Sequence, residues 1–219
     1  MLGTIRRTTP LSDDWGFERG TPVDRYYIEH FLDQESHRIR GRVLEVADSG
    51  YTSRFGQGVE RSDVLDIDAK NPAATFVADL AAADAVPSDA FDCFILTQTL
   101  QYVFDLRAAV RHVHRVLRPG GTVLCTVPAV SRIGRRYLDN EYWRFTAASS
   151  SRLFEEAFGD GAVEVRARGN VLASVAFLVG MACEELSARE LESDDHFFPL
   201  VVTIRASKSA STTTEGGLQ

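Results

Sequence analysis

Residues 90–128, AFDCFILTQTLQYVFDLRAAVRHVHRVLRPGGTVLCTVP, constrain the fold more than any other stretch of this chain. Phe91–Thr97 is an apolar run of strand length, the pattern of a strand buried on both faces of a parallel sheet. Asp105 stands where a helix N-cap belongs. It precedes Leu106, Ala109, Val110, Val113 and Leu117, which recur at helical spacing. Pro119, Gly120 and Gly121 stop that helix and turn the chain. Residues 122–127 form a second buried strand. The unit is βαβ, and such units build open α/β sheets that bind ligands beyond the carboxyl ends of their strands.

The remaining chain supplies more such units. Thr21-Pro22-Val23-Asp24 predicts a helix start with Thr21 as cap and Pro22 at the first helical position, the helix running to Arg38. Residues 42–47 (RVLEVA) are the first strand. The turn Asp48-Ser49-Gly50 leads to a short helix ending near Gly56 and Gly58. Residues 63–67 and 75–78 are the next strands. The seven-residue link between them, 68–74, is too short for the helix that parallel strands normally need as a crossover. Thr146 predicts a cap for a helix through Phe158. A sixth strand follows at 162–167, an apolar helix at 171–186, a capping box at Ser187 to Glu190 and a last strand at 198–206. Residues 1–20 read as an arm or lid, 21–206 as the domain, and 207–219 as a disordered polar tail.

The same 90–128 run resembles class I S-adenosylmethionine (SAM)-dependent methyltransferases, in which an FD-apolar strand, a helix, LRPGG and a strand follow one another. The resemblance covers residues 40–130. It implies a Rossmann-like, seven-stranded, mostly parallel sheet with helices on both faces and SAM as cofactor. It also implies a set of cofactor-binding positions. Glu45 in VLEVADSGY matches the acid ahead of the turn that meets the methionine moiety, and Ala47, Asp48, Ser49 and Gly50 form that turn. Asp66, followed by Ile67, matches the ribose-binding acid. Asp79, with Leu80, matches the adenine-contacting position. Thr97 and Gln98 close the fourth strand over the cofactor. Family members usually carry two or three glycines in the turn, and only Gly50 remains here. Singly, each acid reads equally well as a solvated edge residue.

The acceptor side is carried by two further segments. The loop after the fourth strand reads Leu100-Gln101-Tyr102-Val103. Gln101 stands where a histidine is common and can orient a hydroxyl, though it cannot act as a base. The run Asp139-Asn140-Glu141-Tyr142-Trp143-Arg144-Phe145-Thr146, with the N-terminal WGFERGTPVDRYYIE, resembles the sugar and polysaccharide O-methyltransferases encoded with glycosyltransferases. It implies a saccharide acceptor bound by Tyr26, Gln101, Tyr142, Trp143 and Arg144, aromatic faces stacking on sugar C–H surfaces. The alternative is that Tyr142, Trp143 and Phe145 only anchor the loop. Glu141, and after it Asp139, are the candidate general bases, against the alternative of a solvent-facing glutamate. No metal ligands are assigned. Glu192, Asp194, Asp195 and His196 form an acidic cluster that reads either as a Mg²⁺ site or as a solvated loop. His112 and His114 point to different helix faces and do not share a metal.

Charge and composition narrow the function class. A net charge of −7 and the absence of a Pro-Pro-Tyr motif argue against a nucleic-acid substrate. Cys93, Cys125 and Cys183 have no paired spacing, which fits free thiols in a reducing, cytoplasmic compartment. No run reaches the ~20 apolar residues of a membrane span. Of the 24 basic residues only Lys70 and Lys208 are lysine, a bias typical of GC-rich genomes. The expected assembly is a monomer or homodimer. Two other function classes stay open: a binding scaffold that keeps the fold without catalysis, and a nicotinamide oxidoreductase, which the missing GxGxxG disfavours.

Overall fold

The computed structural model describes residues 6–210. Seven strands form one sheet: β1 Gly41–Val46, β2 Val59–Asp66, β3 Phe76–Val77, β4 Phe91–Thr97, β5 Leu117–Pro128, β6 Val163–Arg168 and β7 Val201–Ser207, in the order β3-β2-β1-β4-β5-β7-β6. β1 to β5 pair in parallel, and β7 runs antiparallel to both β5 and β6. Among the described residues the six α-helices are α1 Val23–Gln34, α2 Gly50–Phe55, α3 Leu106–Val116, α4 Ala147–Phe158, α5 Val171–Val179 and α6 Ala188–Glu192.

The apolar run of β4 explains the layers. Phe94 and Leu96 enter one core with Val110 and Val113 of α3 and Phe154 and Phe158 of α4. Cys93 and Ile95 face the opposite way, into a second core with Tyr27, Ile28 and Leu32 of α1 and Phe177 of α5. Period-two alternation between two covered faces makes the strand apolar throughout. The seven-stranded Rossmann-like sheet expected from the sequence is therefore present.

Several boundaries move for identifiable reasons. Pro22 is the N-cap of α1 rather than its first helical residue, and Thr21 donates its hydroxyl to Glu184 across the molecule. α1 ends at Gln34, and a separate 3-10 turn covers Ser36–Arg38. The long apolar helix expected to 186 stops at Val179, because Gly180 takes a left-handed conformation at φ 77°. A Cβ there would sit 2.5 Å from the Ser12 carbonyl oxygen, so the stop is built around the arm. Leu117 already belongs to β5 rather than to α3. Ser207 and Lys208, placed in the tail by the sequence, are ordered: Ser207 ends β7 and the Lys208 backbone N–H donates to the Gly121 carbonyl. The rest of the tail expectation, residues 211–219, lies outside the described residues, as do residues 1–5 of the arm. The link between β2 and β3 is a loop with no helix, as its length requires.

Candidate functional site

The sheet order reverses direction between β1 and β4, and the cleft at the carboxyl ends of these strands is where an open α/β sheet receives ligands. The turn after β1 sets its floor. Ala47 takes φ 71°, a left-handed conformation that a non-glycine residue rarely adopts. The Gly50 N–H donates to Asp48 Oδ1 at 2.7 Å, which closes an Asx turn in place of the usual glycines. Glu45, only 2% exposed, accepts from the Tyr51 N–H at 3.0 Å and from the Thr52 N–H and hydroxyl at 2.8 and 2.7 Å. It thereby ties β1 to the first turn of α2. Burial raises its carboxyl above the ordinary range, and the bonds from Thr52 and Tyr51 oppose that.

β2 and β3 deliver the other walls. Asp66 accepts from the Asp68 N–H at 2.9 Å and from Asn71 Nδ2 at 2.6 Å, and the same Nδ2 donates to the Ala47 carbonyl at 2.6 Å. Asn71 therefore links the two strand ends across the helix-free connection. Asp79 caps a 3-10 turn through the Ala81 N–H and lines the cleft. Ile67 is 71% exposed at the rim.

The cleft has a volume of about 500 Å³. Glu45, Ala47, Asp48, Asp66 and Ile67 line one side, and Asp79, Leu80, Thr97 and Gln98 the other. Ser49 and Gly50 do not reach it; they turn the chain into α2. Sequence reasoning missed Arg25, Tyr51, Tyr102, Tyr137 and Asn140 as walls. Tyr102 and Tyr137 pack at 4.6 Å between ring centroids. A second cavity of about 180 Å³ adjoins the cleft, and Arg25, Gln98 and Tyr102 line both. Its other walls include Trp15, Phe17, Asp24, Gln101 and Glu141. Trp15 and Phe17 come from the N-terminal arm, which is docked through the Leu11 N–H on the Val179 carbonyl.

The expected acceptor residues divide. Gln101 is 4% exposed and lines the small cavity. Glu141 also lines it, but accepts from the Gly134 N–H at 3.0 Å and pairs with Arg144 at 2.7 Å. The solvent-facing alternative for Glu141 does not hold, since its side chain is only 3% exposed. Asp139 is exposed and lines neither cavity. Tyr26 lies away from both, stacked on His30; one residue is 100° of helix rotation, and it is Arg25 that faces the cleft. Trp143 and Arg144 line a wider groove of about 730 Å³ between α3 and α4, outside the cleft. Trp143 Nε1 donates to the Val103 carbonyl there, and Tyr142 packs edge-on against Phe104. Arg144 is held by Glu141 and by the Ser131 and Arg132 carbonyls.

The acidic cluster of the last loop is engaged within the protein. Asp194 pairs with Arg168 and accepts from the Gly169 N–H, and Asp195 accepts from the Phe197 N–H. Among the described residues, no group of three His, Cys, Asp or Glu side chains is arranged to hold a metal ion, and no helix is long and apolar enough to cross a membrane.

Comparisons with known proteins agree with this geometry. A methyltransferase-domain family profile matches residues 13–158, well over half of the chain. A SAM-dependent methyltransferase from Mesorhizobium loti is 20% identical with a TM-score of 0.56, over 85% of this chain and 98% of that one. The [4+2]-cyclase SpnF is 16% identical with a TM-score of 0.56, over 94% and 88%. A putative methyltransferase complexed with the activator Trm112 from Haloferax volcanii is 16% identical with a TM-score of 0.53, over 90% and 95%. No curated protein gives a significant sequence match. The sheet order, the cleft at its switch point and the matched span together place the chain in the class I SAM-dependent methyltransferase family.

Proposed function

We propose that this protein O-methylates a saccharide at the junction of its two cavities. The observation that carries the reading is the pairing of a cleft walled by strand-end acids with a small adjoining pocket that holds an unsatisfied acceptor. Gln101 Oε1 is buried and has no hydrogen-bond partner. Leaving such a group unpaired costs about 1–3 kcal/mol, so the pocket favours a ligand that brings an O–H or N–H donor. Phe17 adds an exposed aromatic surface at the same pocket, suited to the C–H face of a sugar ring, while the Trp15 ring beside it carries the Arg132 guanidinium 4.3 Å from its centroid. The support for carbohydrate thus comes from the arm rather than from Tyr142 and Trp143.

The cleft fits SAM by the chemistry of its walls. These walls would let Asp66 accept from the ribose diol, Asp79 from the adenine amine and the turn at Ala47 and Asp48 receive the methionine end, with Ile67 as an apolar wall. SAM supplies an already activated methyl group. The chain's own task is to hold an acceptor oxygen in line with it, about 3 Å away. Residues 21–206 act as the catalytic domain, with the arm as a wall of the acceptor pocket and the cytoplasm as the compartment. A polysaccharide under construction is the favoured acceptor, with mycobacterial methylmannose polysaccharide as one specific candidate.

A second reading, a scaffold that binds without methyl transfer, draws on Ala47, whose left-handed backbone replaces the family's glycine. Calorimetry with S-adenosylhomocysteine separates the two from the outset when paired with a transfer assay. Asp66→Ala should weaken binding at least tenfold, about 1.5 kcal/mol for a charged hydrogen bond; unchanged affinity in the folded variant rejects the site. Labelled SAM is then offered with mono- and oligosaccharides, phenols, amines and tRNA. Transfer to a saccharide supports the reading. Turnover only on an amine or tRNA rejects the carbohydrate assignment, and binding without any turnover favours the scaffold.

A further inference from the structure

We propose that Asp24, in the first turn of α1, is the base that takes the proton from the methyl acceptor, with Gln101 as its partner in holding that acceptor. The proposal rests on the SAM-dependent reading above. Its starting point is which polar atoms in the small cavity are still free. Asp24 Oδ1 is shielded from solvent and has no hydrogen-bond partner, and the same is true of Gln101 Oε1. Both side chains line the 180 Å³ cavity, and both free atoms are acceptors. Two unsatisfied acceptors around one small space call for a ligand with donors, and a hydroxyl-bearing group provides them.

The other carboxylate of this cavity is unsuited to the role. Glu141 accepts from the Gly134 N–H and pairs with Arg144, so protonating it would undo an ion pair and loosen the loop. Asp24 has no comparable commitment. Its helical neighbour Arg25 directs Nη1 to the Tyr51 hydroxyl at 2.5 Å. Burial pushes the Asp24 carboxyl above the ordinary Asp range, and the charge of Arg25 together with the backbone N–H groups of Arg25 and Asp24 only partly offsets this. A carboxylate shifted in that direction is a stronger base near neutral pH. The charged and titratable groups around it are Arg25 and Glu29 on α1, Tyr51 on α2, Cys183 and Glu184 beyond α5, and Tyr102 and Glu141 across the cavity.

Position completes the argument. Arg25, Gln98 and Tyr102 form the boundary between cleft and cavity. A methyl group delivered from the cleft must cross that boundary, and Asp24 lies on its far side. In the step, the acceptor O–H bond breaks and its proton passes to Asp24 Oδ1. The oxygen's electron pair forms the new bond to the methyl carbon, while sulfur keeps the pair of the bond that breaks. The proton on Asp24 leaves to solvent when product does.

The test needs no knowledge of the acceptor. Sinefungin replaces the sulfur–methyl centre with a carbon bearing a primary amine, which places a cation where the methyl group would be. Binding of sinefungin and of S-adenosylhomocysteine to the full chain is measured by calorimetry. The wild type should prefer sinefungin by about tenfold or more, and Asp24→Asn should abolish that preference while S-adenosylhomocysteine affinity stays within about twofold. The preference should also fade in the wild type as pH is lowered stepwise and Asp24, whose carboxyl burial shifts upward, takes up a proton. That second measurement decides the matter should the variant fail to fold. A preference that survives Asp24→Asn, or that stays flat as pH is lowered, overturns the proposal. Failure of the wild type to bind S-adenosylhomocysteine at all overturns the SAM-dependent reading itself, and this proposal with it.

Discussion

The cofactor cleft and the acceptor cavity share walls but are built by different means. The cleft is made of strand ends that bond to one another: Glu45 to the start of α2, Asn71 to both Asp66 and the Ala47 carbonyl. The acceptor cavity is assembled from segments far apart in the chain, with Trp15 and Phe17 from the arm, Asp24 from α1, Gln101 after β4 and Glu141 from the long loop. The first is braced by paired strands of the parallel sheet and by the Asn71 bonds between strand ends. The second depends on loops docking correctly, which leaves it freer to vary between relatives that share the cofactor.

The largest effect should come from the cleft. Glu45→Ala orphans two backbone N–H groups and the Thr52 hydroxyl in a buried place. Stability should fall on the order of 3 kcal/mol, read as a lower denaturant midpoint, with S-adenosylhomocysteine binding weakened in parallel. A loss under about 1 kcal/mol would mean that the turn is held by something else. Glu141→Gln sharpens the acceptor side. It keeps the shape and removes the charge facing Arg144, so stability should drop by about 1–2 kcal/mol, since Arg144 is partly exposed. Cofactor affinity should not change, and kcat on a saccharide should fall less than about tenfold; a fall of two to four orders of magnitude would return the role of base to Glu141. Trp143→Ala should do least. Its ring lines the α3–α4 groove, so binding and transfer should stay within about threefold, and a loss of transfer beyond tenfold would show that the groove is part of the acceptor path.

The same division explains what was legible in the sequence. Asp66, Asp79 and Glu45 were legible through the family resemblance, which fixes their order along successive strands where each alone reads equally well as an edge residue, and all three line the cleft. Thr146 capping a helix to Phe158 was legible from local pattern, and the helix has those bounds. Gln101 was legible because it stands where the resembling methyltransferases commonly carry a histidine. Arg25 was missed in favour of Tyr26 because helical pattern alone does not say which polar neighbour faces a cavity. The long loop misled most. Its aromatic residues suggested sugar stacking, whereas Phe104 and the Val103 carbonyl hold them outside the cleft. Only the fold brings Phe104 beside Trp143, and only the fold places Trp15 beside Glu141.

The helix-free link between β2 and β3 has a consequence for assembly. It leaves β3 just two residues long at one border of the sheet, too short to template a further strand. At the opposite border, β6 carries Glu164, Arg166 and Arg168 at alternate positions, engaged with Arg205, with each other or with Asp194. Both borders are thus blunted against strand addition, one by brevity and one by charge. Strand addition at these two borders is therefore disfavoured, which directs association between copies of this chain toward its helices and loops.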